Sequence, residues 1–264
     1  MKLNRAIIVY KEARPGVTGV ANHLATLDEL YSLLKELGVD FESCKVGQLC
    51  SSEGTDLVIT VGGDGTVLTT SHYVTDKPIL GIKSFGQTSV GYFCGATQKT
   101  MRKYIQDLVA GKRKPTHLHR LQVLIDGKPL RELVLNEILF AHALPASMTR
   151  YELTVGRRKE EHRSSGVWIS TAAGSTAAIY AAGGTPLPIT SKQMEYLVRE
   201  PYYHGKYYRL VQGILSETAR IQIRSHVAEG IISIDGSHIQ YPAPEGAEIT
   251  VAAAKHPLKL YWRK

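Results

Sequence analysis

The stretch Asp56-Leu57-Val58-Ile59-Thr60-Val61-Gly62-Gly63-Asp64-Gly65-Thr66 passes from a continuous apolar run straight into three glycines in four positions. A run this short and this apolar predicts a strand covered on both faces, as in a parallel sheet flanked by helices. Val67-Leu68 resumes an apolar pattern and predicts a short helix. Upstream, Ile7–Tyr10 predicts a buried opening strand. Leu24, Leu27, Leu30, Leu34 and Leu37 then recur at helical spacing, with Gly38 as the stop. Val39–Val46 and Pro78–Ile82 supply two further strands. Strands alternating with helical segments predict an α/β, Rossmann-like N-terminal domain with a parallel sheet.

The pattern changes near residue 97. One more helix, about Gln98–Ala110, leads to Pro115. Short strands follow at Leu118–Ile125, Leu130–Phe140, Tyr151–Val155, Val167–Ser170, Ala219–Arg224, Ile231–Ile234 and Ile249–Ala253. Frequent turns and little helix predict an all-β, antiparallel C-terminal domain.

Composition bounds the rest. The 264 residues are 43% hydrophobic and 21% charged, which excludes disorder as the main state. No apolar stretch is long enough to span a bilayer, and the N-terminus does not read as a signal peptide, so no membrane partner is expected. Cys44, Cys50 and Cys94 are an odd number without metal-ligand spacing, which argues against a disulfide framework and for a cytoplasmic location. The net charge of +8 suggests anionic partners. The basic residues are dispersed, which disfavours nucleic acid and leaves phosphorylated small molecules.

Glycines at the carboxyl end of a parallel strand, where a helix begins, let a ligand approach backbone N–H groups and make a phosphate cradle. An acidic residue inside such a cradle would repel phosphate. Asp64 therefore binds Mg²⁺ or takes a proton from an attacking hydroxyl, unless it only caps the helix. Asn136-Glu137 interrupts an apolar strand, where an amide and a carboxylate need partners. The amide suits a base edge and the carboxylate a ribose diol. A polar strand end facing water is the plain alternative. In Thr171-Ala172-Ala173-Gly174-Ser175-Thr176-Ala177-Ala178, small side chains let a flat ring lie on the backbone, and the hydroxyls of Ser175 and Thr176 can reach ring nitrogens or a phosphate. A capped helix start packed on a sheet explains the alanines equally well.

Gly62-Gly63-Asp64-Gly65-Thr66 resembles the signature shared by NAD kinases, diacylglycerol and sphingosine kinases and, more loosely, 6-phosphofructokinases. With Asn136-Glu137 and Gly174-Ser175-Thr176-Ala177 in this order and spacing, the chain is similar to the NAD kinase family. The resemblance implies an ATP-dependent NAD kinase, transferring the γ-phosphoryl group to the adenosine-ribose 2′-hydroxyl of NAD to make NADP. It implies Asp64 as general base, phosphate binding by Gly62, Gly63, Gly65 and Thr66, and dinucleotide contacts from Asn136 and Glu137. Thr176 and Ala177 would line the adenine site beside Ser175. Mg²⁺ would arrive with ATP rather than at a fixed protein site, and the enzyme would be a homo-oligomer. The implied domains are 1–97 (nucleotide phosphates), 98–245 (NAD) and a segment, 246–264, returning to the first. Arg163 matches a basic family position. Lys83 replaces an Asn, Ser165 precedes Gly166 where most members have Asp, and Ala178 stands where a tyrosine is usual. The longer loop after Lys83 and the Ser164-Ser165-Gly166 run resemble the mitochondrial-type branch. Asp235-Gly236 matches a structural β-turn. A lipid kinase and a non-catalytic dinucleotide sensor are the alternative readings.

Overall fold

Ile7, Ile8 and their neighbours form β1 (Arg5–Tyr10), the strand around which the first sheet is laid. The structure is a computed structural model that describes residues 3–13, 18–48, 53–85, 90–205 and 207–263. After β1 come α1 (Val20–Glu36), β2 (Asp40–Lys45), β3 (Leu57–Gly62), α2 (Asp64–Ser71) and β4 (Pro78–Lys83). Then follow β5 (Cys94–Thr97), α3 (Gln98–Val109) and β6 (Thr116–Leu118). β1 pairs in parallel with β2 and β3, β3 with β4, and β4 with β5. Every residue of β3 is buried, as its unbroken apolar run predicts.

The buried face of α1 is carried by His23, Leu27, Leu30 and Leu34, whose spacing of four, three and four keeps them on one side. Leu24 lies one step round the helix and is 48% exposed, so a histidine occupies the core position expected for it. On α3, Met101, Tyr104, Ile105 and Leu108 repeat the pattern and join the same core as Ile8, Ile59 and Leu80.

Among its described residues, the second unit is built of strands and their connections, with one turn of helix. It contains β7 (Leu121–Ile125), β8 (Lys128–Val134), β9 (Glu137–His142), β10 (Thr149–Val155), β11 (Arg158–Ser164) and β12 (Val167–Thr171). α4 (Ala178–Ala181), β13 (Met194–Val198), β14 (Gln212–Leu215), β15 (Arg220–Ser225), β16 (Gly230–Ile234), β17 (Ile239–Pro242) and β18 (Glu248–Ala253) complete it. Two six-stranded sheets result, ordered β11-β10-β15-β18-β7-β8 and β14-β13-β12-β9-β16-β17. They share one core, in which Val123, Tyr151 and Ile249 from one sheet meet Phe140, Ile169 and Ile232 from the other. The predicted strand Leu130–Phe140 is in fact two. It breaks at Leu135-Asn136, and β8 and β9 enter different sheets.

The last strand, β19 (Leu258–Leu260), returns to the first sheet, whose order is β2-β1-β3-β4-β19-β6 with β5 on the carboxyl half of β4. By contact, residues 1–117 with 258–264 form one unit and 118–257 the other. The first unit therefore extends past the expected boundary at 97, because α3 packs on its core, and the returning segment begins later than residue 246. Cys94 is a buried free thiol, whereas Cys44 is disulfide-bonded, contrary to the expectation from cysteine count. Among the described residues, no helix is long and apolar enough to cross a membrane.

Candidate active site

In the first unit, the carboxyl edge of the parallel sheet gathers the glycine turn and several strand-ending lysines. β3 ends at Gly62, beside Lys83 on β4, and Tyr10 at the end of β1 pairs with Lys45 on β2. Gly63 is the N-cap of α2 with extended backbone (φ −142°, ψ −164°), so the turn does not depend on a left-handed conformation. Gly62 is required by packing: a Cβ there would lie 2.2 Å from Thr66 Oγ1. At Gly65 a Cβ would meet nothing within 4 Å, which leaves the backbone open to a ligand.

Asp64 is the first residue of α2 but does not serve as its cap. Its carboxylate reaches the segment after β4, where Gly91 N donates to Oδ2 and Phe93 N to Oδ1, both at 2.8 Å. Two amides thus fix the orientation of the acid. Gly91 has φ 69°, and a Cβ there would lie 2.8 Å from the Lys83 side chain and 3.3 Å from Arg263 Nη2. Cys94, three residues on, is no nucleophile: burial and the Asp64 charge push its thiol up to about 12.

Behind the turn lies a group that the sequence reading missed. His23 of α1 is fully buried, its Nδ1 is 2.7 Å from Ser84 Oγ, and its ring stacks on Phe85 at 4.5 Å. Burial lowers its pKa, which favours the neutral ring. Ser84 N donates to Gly62 O at 3.0 Å, and the Asn22 amide donates to Ser84 O. α1 therefore braces the carbonyl at which the glycine turn starts. A histidine in phase with leucines was the available signal. A cavity of about 670 Å³, lined in part by Lys11, Lys45, Gln48 and Phe85, lies at the ends of β1 and β2.

In the second unit, the break between β8 and β9 is held by Asp235, which follows β16. Its carboxylate accepts three consecutive amides, from Leu135 (2.9 Å), Asn136 (2.8 Å) and Glu137 (3.0 Å). The structural role expected of Asp235 is thus specific: it shapes the turn that presents Asn136 and Glu137. Those two side chains are left with buried polar atoms, Asn136 Oδ1 and Glu137 Oε2, that have no hydrogen-bond partner. Burial, and then the Asp235 charge, push Glu137 up to about 8.

The Thr171–Ala177 segment packs directly on this turn. Thr171 Oγ1 donates to Leu135 O at 2.6 Å, and Thr171 N to Asn136 O at 2.9 Å. Gly174 is pressed against Asn136, since a Cβ would sit 2.2 Å from its carbonyl oxygen. Ser175 is fully buried, donating to Ala172 O and accepting from Leu187 N, both at 2.8 Å. Its hydroxyl is therefore committed to the backbone, contrary to the expectation that it reaches a ligand. Thr176 is exposed and Ala177 half-buried.

Arg163 and Ser165 are not part of this cluster. Arg163 is exposed on β11, and Ser165, whose N donates to Arg199 O at 3.0 Å, precedes β12. β12 pairs Ser170 with Glu137, so Ser165 lies at its other end, roughly 15 Å away at strand spacing. The described residues of the tyrosine-rich segment, 202–205 and 207–209, are anchored near them. Tyr202 N donates to Arg163 O, Arg209 N and Leu210 N donate to Glu160, and Tyr208 stacks on buried His162 at 4.7 Å. Glu195, fully buried on β13, accepts from Thr185 N and the Gln212 amide, and it too went unread. Among the described residues, no group of three or more His, Cys, Asp or Glu is placed to hold a metal ion.

Comparison with known proteins agrees with both units. Residues 18–113 match the family model for the ATP-NAD kinase N-terminal domain. A probable NADH kinase of Oryza sativa subsp. japonica is 30% identical over 262 residues, covering 90% of this chain and 81% of the relative. An NAD kinase of Methanosarcina barkeri is 32% identical over 187 residues, covering 70% and 65%. The fold matches the crystal structure of an Archaeoglobus fulgidus NAD kinase in complex with ATP, with TM-score 0.79, 24% identity and coverage of 97% and 93%. It matches yeast NADH kinase complexed with NADH at TM-score 0.80, 18% identity and coverage of 98% and 83%. Identity at this level across most of both chains, on this pair of folded units, makes the protein a member of the NAD kinase family.

Proposed function

We propose that the protein is an ATP-dependent kinase that phosphorylates the adenosine-ribose 2′-hydroxyl of NAD, giving NADP and ADP. The observation that carries this reading is the Asn136-Glu137 turn, where a carboxylate and an amide oxygen are buried without partners. Orphaned buried polar atoms are costly unless a ligand pairs with them, and a ribose diol and a base edge are suitable partners. Gly174 keeps the neighbouring surface flat, with Thr176 and Ala177 open on it, while Ser175 supports the turn from beneath.

The glycine turn, with Gly62, Gly63, Gly65 and Thr66, would hold the nucleotide phosphates, and Mg²⁺ would enter as part of the MgATP substrate. In the transfer, the 2′-oxygen bonds to the γ-phosphorus and the bond to the β,γ-bridging oxygen breaks. The hydroxyl proton passes to Asp64, whose two amide bonds hold it in one orientation. Arg163 matches a basic position of the family, and Ser165 stands where most family members have an Asp that the resemblance associates with the nicotinamide end. A serine there places no negative charge beside that ring, so the cationic ring of NAD gains nothing over the neutral ring of NADH. The NADH kinases among the relatives favour the same second reading, NADH as acceptor. We expect a homo-oligomer.

The test is purified protein with MgATP, offered NAD, NADH and a diacylglycerol emulsion, with products read by mass spectrometry. Phosphorylated NAD or NADH is expected. Asp64→Asn should retain fold and NAD binding while losing about 10²–10⁴ in turnover. Dinucleotide binding without product would make the protein a sensor, and phosphorylated lipid alone would make it a lipid kinase.

A further inference from the structure

A second cavity in the first unit, of about 460 Å³, opens where β5 runs into α3. Four cations line it, Lys99, Lys103, Arg113 and Arg263, and among the described residues no carboxylate does. Asp107 sits 3.5 Å from Arg113 and 3.7 Å from Lys103, outside the lining, and pairs with two of the four cations. The two guanidinium groups are held in place. Arg113 stacks on Tyr104 at 4.3 Å, and the Tyr104 hydroxyl is itself tied to Trp262 O. Arg263 donates through Nε to Cys94 O at 2.9 Å, which leaves its outer nitrogens for another acceptor.

Lys99 is placed against the interest of the helix, whereas Lys103 also pairs with Asp107 one turn on. Lys99 and Lys103 are four apart on α3, where like charges repel. Lys99 also stands in the first turn, at the positive end of the helix dipole, where α3 has no acidic residue. The helix end is already capped by Thr97 and Thr100, so the feature is the side-chain charge around the cavity and not free amides. Cations gathered this closely around one cavity favour an anion within it.

We propose that this cavity binds a phosphate-class oxyanion, an oligophosphate chain or the phosphate tail of a nucleotide, at a site separate from the glycine turn. Paired guanidinium forks and mobile ammonium groups match several phosphate oxygens at once, and the volume exceeds a single phosphate. The site lies on the same sheet edge as the turn, because Thr97 pairs with Lys83 and Lys83 with Gly62. It stands whether or not NAD is the acceptor.

The probe is inorganic tripolyphosphate, titrated into the ¹⁵N-labelled full chain at physiological salt and followed at the amides of residues 95–103. Saturable shifts at those amides are expected. The double variant Lys99→Ala, Lys103→Ala should bind at least tenfold more weakly there, with thermal stability unchanged or raised. Repeating the titration in saturating MgATP separates the sources: joint occupancy supports an independent anion site, and displacement would assign the cavity to the donor's own phosphate tail and overturn a site separate from the glycine turn. No saturable shift at residues 95–103, or equal affinity in the double variant, would overturn it. So would loss of the shift in Lys45→Ala alone, since that lysine belongs to the other cavity.

Discussion

Glu137 couples ligand binding to protons. Its pKa is raised from 4.5 to about 8 by burial first and the Asp235 charge second. An acid raised in the folded state stabilises the fold fully below its unfolded pKa, and that contribution is lost as pH rises through the folded value. Thermal unfolding should therefore show the parent losing on the order of 2–4 kcal/mol between about pH 4.5 and 8 relative to Glu137→Gln. Equal pH profiles for the two proteins would refute the assignment. Ribose hydroxyls donating to the carboxylate favour its ionised form. NAD binding at pH 7 should then release close to one proton, measurable by calorimetry in buffers of different ionisation enthalpy. Sequence alone showed that these residues sit badly in a strand. It could not show that Ser175, two places from the open Ala177, turns inward, because a hydroxyl on a small-residue turn serves backbone and ligand equally well.

At the scale of elements, the decisive object is the turn between β8 and β9. Asp235 accepts three amides there, and Asp235→Asn replaces one accepting oxygen by a donor. Chemical denaturation should show a loss of about 1–3 kcal/mol, together with weaker dinucleotide binding. Gly174→Ala should do comparable damage by displacing Asn136, and a variant with parent stability and affinity would contradict the close packing. The apolar period made β1, β3, α1 and α3 legible. It could not show that Leu130–Phe140 divides between two sheets, since both halves are equally apolar and the clamp lies a hundred positions away. β11, Arg-Lys-Glu-Glu-His-Arg-Ser, is an edge strand whose charges conceal its pairing with β10. β13 hides a buried glutamate at its second residue.

For the molecule as a whole, the two units differ in how the chain supplies them. The second is one continuous segment, 118–257, with a core of its own, while the first draws on both sides of it. β19 lies between β4 and β6, pairing Leu260 with Ile79. Ending the chain at Pro257 should therefore raise amide exchange across β4 and β6 while the second unit keeps its protection. Uniform loss of protection in both units would show that they fold as one.

The same interruption matters while the protein is being made. A nascent chain emerges from the ribosome amino end first, so the stretch that starts the first sheet is also the one left waiting. Until residues 118–257 have been synthesised, the Ile79 end of β4 is an uncovered edge, open to pairing with any passing strand. The half of the protein begun first is completed last, and that interval is when a chaperone would have most to do.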